Sequence, residues 1–271
     1  MSEHRPVGVF DSGVGGLSVV REMRRRMPRL DIVYVSDARH LPYGEKSEEF
    51  IRERSFAIAD FLLGEGARAL VIACNTATAA AARALREAFT LPIVGIEPAV
   101  KPAAQATRSG IVGILATAST LQSSRYAELL RRFGQFTRVI GQPASGLVEC
   151  VEAGELDGPR TRELLARHLG PLLEAGADTI VLGCTHYPFL LPAIRAIVGP
   201  AVRIIDPGDA VARRVEEVLG SDTGGGATLR CFSSGDPAAQ QALMSRLLGE
   251  TVAVLPLPER GRGHRREAAP G

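Results

Sequence analysis

Residues 178–191 read DTIVLGCTHYPFLL, and the fold is decided there. Four branched or apolar residues, 179–182, stand between Asp178 and Gly183. That pattern suits a short parallel strand covered on both faces. Cys184, Thr185 and His186 follow at the strand's carboxyl end. In open α/β sheets, ligands sit just beyond the carboxyl ends of the strands. A thiol, a hydroxyl and an imidazole in succession there read as a candidate site rather than as core.

The pattern occurs once before. Residues 69–79, ALVIACNTATA, give a short apolar strand, then Cys74, Asn75 and Thr76, then an alanine-rich helix start. The echo extends upstream, with VGVFDS at 7–12 and VGILAT at 112–117. Each half therefore runs strand, polar turn, strand, cysteine turn, which suggests an internal duplication of α/β units.

Composition sets the outer bounds. A chain of 271 residues has room for two modest domains or one large one, and 45% hydrophobic residues support packed cores. A net charge of +2 is too small to imply nucleic acid, and no nucleic-acid partner is expected. Lysine occurs only at Lys46 and Lys101, so the positive charge is nearly all arginine. The cysteines, Cys74, Cys150, Cys184 and Cys231, show neither CxxC spacing nor a nearby histidine pair, so no disulfide framework and no metal site is expected. The start, MSEHRP, lacks an apolar signal-peptide region, and no apolar run reaches the roughly 18 residues of a membrane span. A soluble cytoplasmic protein without a membrane partner is the expectation.

Further strands are expected at 7–10, 31–36, 91–97, 112–115, 202–205, 228–233 and 252–255, with helices at 17–26, 47–63, 121–132, 161–173, 192–198, 210–219 and 237–248. The glycine-rich turn 11–16, DSGVGG, opens a helix and could meet an anion, yet it is neither GxGxxG nor a Walker loop. Read alone, it is an ordinary strand-to-helix turn with Asp11 or Ser12 as the cap. Tyr43 and Gly44 lie in a loop where a backbone amide could face a ligand, and His40 reads as a surface residue. Hydroxyls at Thr117, Ser119 and Thr120 could hold a carboxylate or merely start a helix. Residues 144–158 form an amphipathic acidic segment in which Glu149, Glu152 and Glu155 recur every third residue, the mark of a solvated helical face. Cys150, Cys231 and His168 read as packing residues. Residues 221–227 read as a flexible connector, and residues 256–271, which include His264, as a disordered tail.

Two thiols at equivalent positions of two facing halves could approach one ligand from opposite sides. A thiolate on one face removes a carbon-bound proton while a thiol on the other delivers one. Free cysteine has a pKa of about 8.5, lowered at helix amino ends. Asn75, Thr76 and Thr185 can hold a carboxylate, and Asp11 and His186 can tune the thiols. Neither lysine sits where a Schiff base would be expected, so no cofactor is expected and the chemistry would rest on positioning and preorganised electrostatics. The alternative is two small buried hydrophobes.

With these motifs in hand, the chain resembles the glutamate racemases of the cofactor-independent aspartate/glutamate racemase superfamily. The carriers are GVFDSGVGGLSV at 8–19, LPYGEKS at 41–47, ACNTATA at 73–79, PIVGIEPAVKPA at 92–103 and LGCTHYPFL at 182–190. The resemblance implies an α/β fold of two pseudo-symmetric domains with mainly parallel sheets flanked by helices and the site in the cleft between them. The first domain would hold residues 1–97 and 208–255, the second 98–207. It implies interconversion of L- and D-glutamate, supplying D-glutamate for peptidoglycan, and a homodimer. Cys74 and Cys184 would be the acid/base pair, Asp11 would assist Cys74, and Glu152 and His186 would assist Cys184. For Glu152 this reverses the local reading. Substrate would be held by Asp11, Ser12, Tyr43, Gly44, Asn75, Thr76, Thr185 and His186, with Thr117 and Thr120 as further candidates. Aspartate racemases, hydantoin racemases and arylmalonate decarboxylases are similar; a decarboxylase needs one thiol, and the GCTHYPF form favours glutamate over aspartate. The rival of another class is a non-catalytic regulator that binds acidic ligands or DNA gyrase. The six residues before Val7 weigh against the gyrase version.

Overall fold

The computed structural model describes residues 5–134, 137–220 and 224–258. The chain builds two parallel sheets flanked by helices. Four strands come first: β1 (Val7–Asp11), β2 (Ile32–Ser36), β3 (Ala69–Ile72) and β4 (Ile93–Gly95). Four more follow: β5 (Ile111–Ala116), β6 (Arg138–Pro143), β7 (Thr179–Gly183) and β8 (Arg203–Ile205). The last two are β9 (Leu229–Ser233) and β10 (Val254–Pro256).

The first sheet has the order β10-β9-β2-β1-β3-β4, the second β6-β5-β7-β8. Within the first, β2-β1-β3-β4 repeats the order of the second strand for strand, as the duplicated motifs suggest. After β8 the chain returns, and β9 pairs with β2 from Ile32↔Leu229 to Ser36↔Ser233. β1, β3 and β7 are buried along their whole length, which is why they read as uninterrupted apolar runs. β1 lies between β2 and β3, and β5 lies between β6 and β7. Loops at the carboxyl ends of β1 and β3, and of β5 and β7, therefore diverge around a crevice in each half.

Several boundaries differ from the expected ones. β6 was not expected: RVIGQP lies along an edge with none of its residues buried and carries no apolar run to announce it. The helix expected at 121–132 is two helices, Ala118–Gln122 and Ser124–Phe133. Ser123 breaks it by taking an extended backbone and capping the second with its hydroxyl on Tyr126 N–H. The acidic segment 144–158 shrinks to one short helix, Leu147–Glu152, entered through Gly146 at φ 88°. Its face is not solvated as expected: Glu149 Oε2 is buried, and the Glu152 side chain is only 13% exposed. His40 is half-buried and bonded to Asp37, not a free surface side chain. Cys150, Cys231 and His168 are buried. Of the expected connector, residues 221–223 lie outside the described residues; so do 259–271 of the expected tail, with His264, while Val254–Pro256 is a strand.

Candidate active site

Cys74 ends the run that begins with β3. It takes an extended backbone and caps the helix Asn75–Ala88, its Sγ accepting the Ala77 N–H at 3.5 Å. Ser12 Oγ lies 3.9 Å from the same sulfur. A helix amino end is worth about 0.3–1 kcal/mol to a negative group, less than the roughly 1.4 kcal/mol of one pKa unit. Burial, seconded by the Asp11 charge, outweighs it and pushes the Cys74 thiol up to about 12. At neutral pH Cys74 carries its proton.

Asp11, at the end of β1, has a fully buried carboxylate. Oδ1 accepts Ser12 Oγ at 3.0 Å and Gly13 N–H at 3.2 Å. Oδ2 accepts the hydroxyl of Thr185, from the other half, at 2.6 Å. Burial raises the Asp11 pKa against the opposing pull of His186 and these hydrogen bonds.

Cys184 leaves β7 through Gly183 and precedes a single 3-10 turn, Tyr187–Leu190. Its sulfur sits 3.7 Å from His186 Nδ1. His186 Nε2 lies 2.7 Å from Glu152 Oε1, which also accepts Val14 N–H at 2.8 Å. The glycine-rich turn 11–16 thus receives an anion after all: the chain's own Glu152, reaching across from the second half. Burial opposes charge on His186, but the contacts to Cys184 and Glu152 prevail and raise its pKa well above 6.5. As imidazolium, the ring donates from both nitrogens, to the sulfur and to the carboxylate. Gly15 makes room for it, since a Cβ there would lie 2.4 Å from His186 Nδ1. The Ser18 hydroxyl approaches the Thr185 carbonyl at 2.9 Å and fixes the turn that carries the ring.

Between the two thiols lies a narrow cleft. Asp11, Ser12, Tyr43, Gly44, Cys74, Asn75, Thr76, Thr117, Thr120, Cys184, Thr185 and His186 all line it. Glu152 does not; it stands behind His186. Pro42, Val148 and Gly183 complete the lining and were not singled out in the sequence, having no reactive atoms to signal them. Thr76 Oγ1 meets Thr117 Oγ1 at 3.1 Å and Thr120 Oγ1 at 3.3 Å, a hydroxyl cluster drawn from both halves. Both polar atoms of the Asn75 side chain are buried without a partner among the described residues. Such a group costs about 1–3 kcal/mol unless something meets it. A ligand with a carboxylate and an ammonium would supply the missing acceptor and donor. Neither lysine lines the cleft, so it offers no amine for a Schiff base. Among the described residues, no cluster of three or more His, Cys, Asp or Glu is arranged to hold a metal ion.

Residues 7–215 match the Asp/Glu/Hydantoin racemase family. The chain belongs to that family. It is 57% identical over 254 residues to the glutamate racemase of Ectopseudomonas mendocina, covering 92% of this chain and 97% of that one. Its fold is similar to a glutamate racemase isoform from Bacillus anthracis, at 32% identity and a TM-score of 0.87, covering 95% and 98% of the two chains. It is also similar to the Escherichia coli glutamate racemase solved with L-glutamate and an activator, at 37% identity and a TM-score of 0.83, covering 93% and 97%.

Proposed function

We propose that the protein interconverts L- and D-glutamate by a two-base mechanism that needs no cofactor. The observation that carries this reading is the pair of thiols at equivalent positions of the two halves, both lining one cleft. Support for glutamate comes from the 57% identical relative and from the L-glutamate bound by the Escherichia coli protein.

The resting proton distribution follows from the surroundings. Cys74 is a thiol, held so by burial and by Asp11. Cys184, whose sulfur lies 3.7 Å from the His186 imidazolium, is in this reading the thiolate base. That thiolate takes the α-proton of the enantiomer that presents it. The electron pair left on carbon spreads into the carboxylate, where the Asn75 amide and the threonine hydroxyls meet the growing charge. Cys74 then gives its proton to the opposite face. The product leaves with inverted configuration and the two thiols with exchanged protonation, ready for the other enantiomer. Glu152 orients the imidazole, as a third group does in nucleophile–base pairs generally.

The same reading covers what goes with the activity. The D-glutamate would supply peptidoglycan synthesis, and the protein would work in the cytoplasm as a homodimer. The two sheets would belong to two domains, residues 1–97 with 208–255 and residues 98–207, that close on the substrate. No helix among the described residues is long and apolar enough to cross a membrane.

The test is proton NMR of L-glutamate with purified protein in D₂O, with chiral chromatography of the product. Loss of the α-proton signal together with D-glutamate is expected. Absence of exchange with glutamate would sink the assignment and turn attention to aspartate.

A further inference from the structure

Tyr43 and Gly44 stand in the cleft, yet the loop that carries them has little secondary structure of its own: two single turns, Ala38–His40 and Tyr43–Glu45. Something else must hold it. The loop leaves β2 at Asp37, whose backbone N–H donates to the Asp11 carbonyl at 3.0 Å. The Asp37 carboxylate is fully buried and fully occupied. Oδ1 accepts Arg54 Nη2 at 2.8 Å and lies 3.0 Å from His40 Nδ1. Oδ2 accepts the Tyr43 hydroxyl at 2.6 Å and Arg54 Nε at 3.0 Å. Arg54 comes from the helix Glu48–Gly64, so the loop is clamped at its root and middle to a rigid element. Its far end touches the other half: a Cβ on Gly44 would lie 3.4 Å from Thr117 Cβ.

We propose that the buried Asp37–Arg54 pair is a positioning device for substrate binding, which fixes the Tyr43–Glu45 turn as the wall of the cleft that faces the Thr117–Thr120 hydroxyls. The proposal rests on the racemase reading and adds two positioning residues to it. The chemistry suits the task. A bidentate guanidinium fixes direction as well as distance, which a lysine cannot do. Asp37 has four contacts from three residues on its two oxygens, so the Tyr43 hydroxyl has one place to go. The guanidinium also neutralises Asp37, which hangs from the backbone of Asp11; a second uncompensated carboxylate beside that site would be costly.

The test uses Arg54→Lys, Arg54→Gln and Tyr43→Phe in the full chain. Two readouts are taken: hydrogen–deuterium exchange of residues 38–46 without substrate, and steady-state kinetics with L-glutamate. Exchange in 38–46 should quicken in Arg54→Gln and, less, in Arg54→Lys, while β1 and β3 stay as protected as in the wild type. A misplacement of about 1 Å can cost roughly 100-fold, and here the loss in kcat/KM should fall mainly on KM. Tyr43→Phe cuts only the link between the pair and the turn. It should raise KM as well, and combined with Arg54→Gln it should cost less than the sum of the two. Arg54→Lys keeps a charge beside Asp37 and guards against a variant that fails to fold. Unchanged exchange in 38–46 would overturn the proposal. So would unchanged KM with only a smaller active fraction, or strict additivity with Tyr43→Phe. Because exchange is read without substrate, failure of the glutamate assignment would show in the wild-type kinetics and leave that arm intact.

Discussion

Cys74 and Cys184 close matching strands of two sheets with the same order, β2-β1-β3-β4 and β6-β5-β7-β8, yet their company is opposite in sign. Cys74 has a helix amino end, the Ser12 hydroxyl and the Asp11 carboxylate; its proton is held. Cys184 has an imidazole 3.7 Å away whose pKa is raised and which is backed by Glu152. Symmetry of fold places two thiols in one cleft, and asymmetry of charge gives them unlike neighbours: a carboxylate beside Cys74 and an imidazolium beside Cys184. A two-base racemase needs both. The halves also exchange parts: Thr185 bonds Asp11, and Glu152 bonds Val14 N–H, so each thiol's surroundings include residues of the other half.

The comparison can be broken most severely at the sulfurs. Cys74→Ser and Cys184→Ser should each lower racemisation by about 10²–10⁴-fold, the usual worth of a positioned acid or base. Chiral chromatography over time reads this. Because the equilibrium constant of a racemisation is one, kcat/KM must stay equal in the two directions for every variant. Differences between the sides therefore appear in the separate kcat values and in primary isotope effects.

Next in size are changes confined to the Cys184 side. Gly15→Ala pushes a methyl into the His186 ring, and a displacement on the order of 1 Å should cost roughly 100-fold in kcat. His186→Asn should flatten the alkaline limb of the pH–rate profile. The sign follows from the raised pKa: the imidazolium is present at low pH and lost as pH climbs through the folded value, so activity on this side falls with rising pH. The stability linkage has the same direction. The folded state binds that proton more tightly, so its contribution is complete below the ordinary imidazole value and vanishes as pH rises through the raised one. Urea melts of wild type and His186→Asn should therefore differ more at neutral than at alkaline pH.

Smaller effects test the tie between the sides. Thr185→Val leaves Asp11 Oδ2 without its 2.6 Å donor and should destabilise by about 1–3 kcal/mol, read as a shift in urea midpoint. Asp11 should then titrate higher still. Least of all should be Cys231→Ala. This thiol packs within β9 away from the cleft, so racemisation should be unchanged, and the stability loss should stay within about 0.5–3 kcal/mol. An activity loss there would mean that thiols matter for reasons other than their place in the two halves.

Much of this arrangement was legible in the sequence, for physical reasons. Buried parallel strands must be apolar throughout, so β1, β3, β5 and β7 announced themselves, and the polar residues that stop each run mark the cleft. Asn75, Thr76 and Thr185 were visible because polar side chains beside a buried strand end need an explanation. Other parts were hidden. Glu152 looks locally like one member of a solvated acidic face; the resemblance alone pointed elsewhere, and the contacts distant in sequence to Val14 and His186 give it its place. β6 and the break at Ser123 lack a periodic signal, one being an exposed edge and the other a cap. The Asp37–Arg54 pair is invisible because its meaning lies in how a loop and a helix face one another.

The most direct test of opposed thiols is α-proton exchange with solvent deuterium in the two serine variants, each given pure L- and pure D-glutamate. Each variant keeps one base and should exchange one enantiomer faster than it racemises it, and the favoured enantiomer should be opposite in the two variants. If Cys74→Ser and Cys184→Ser favour the same enantiomer, the thiols do not act from opposite faces and the account is wrong.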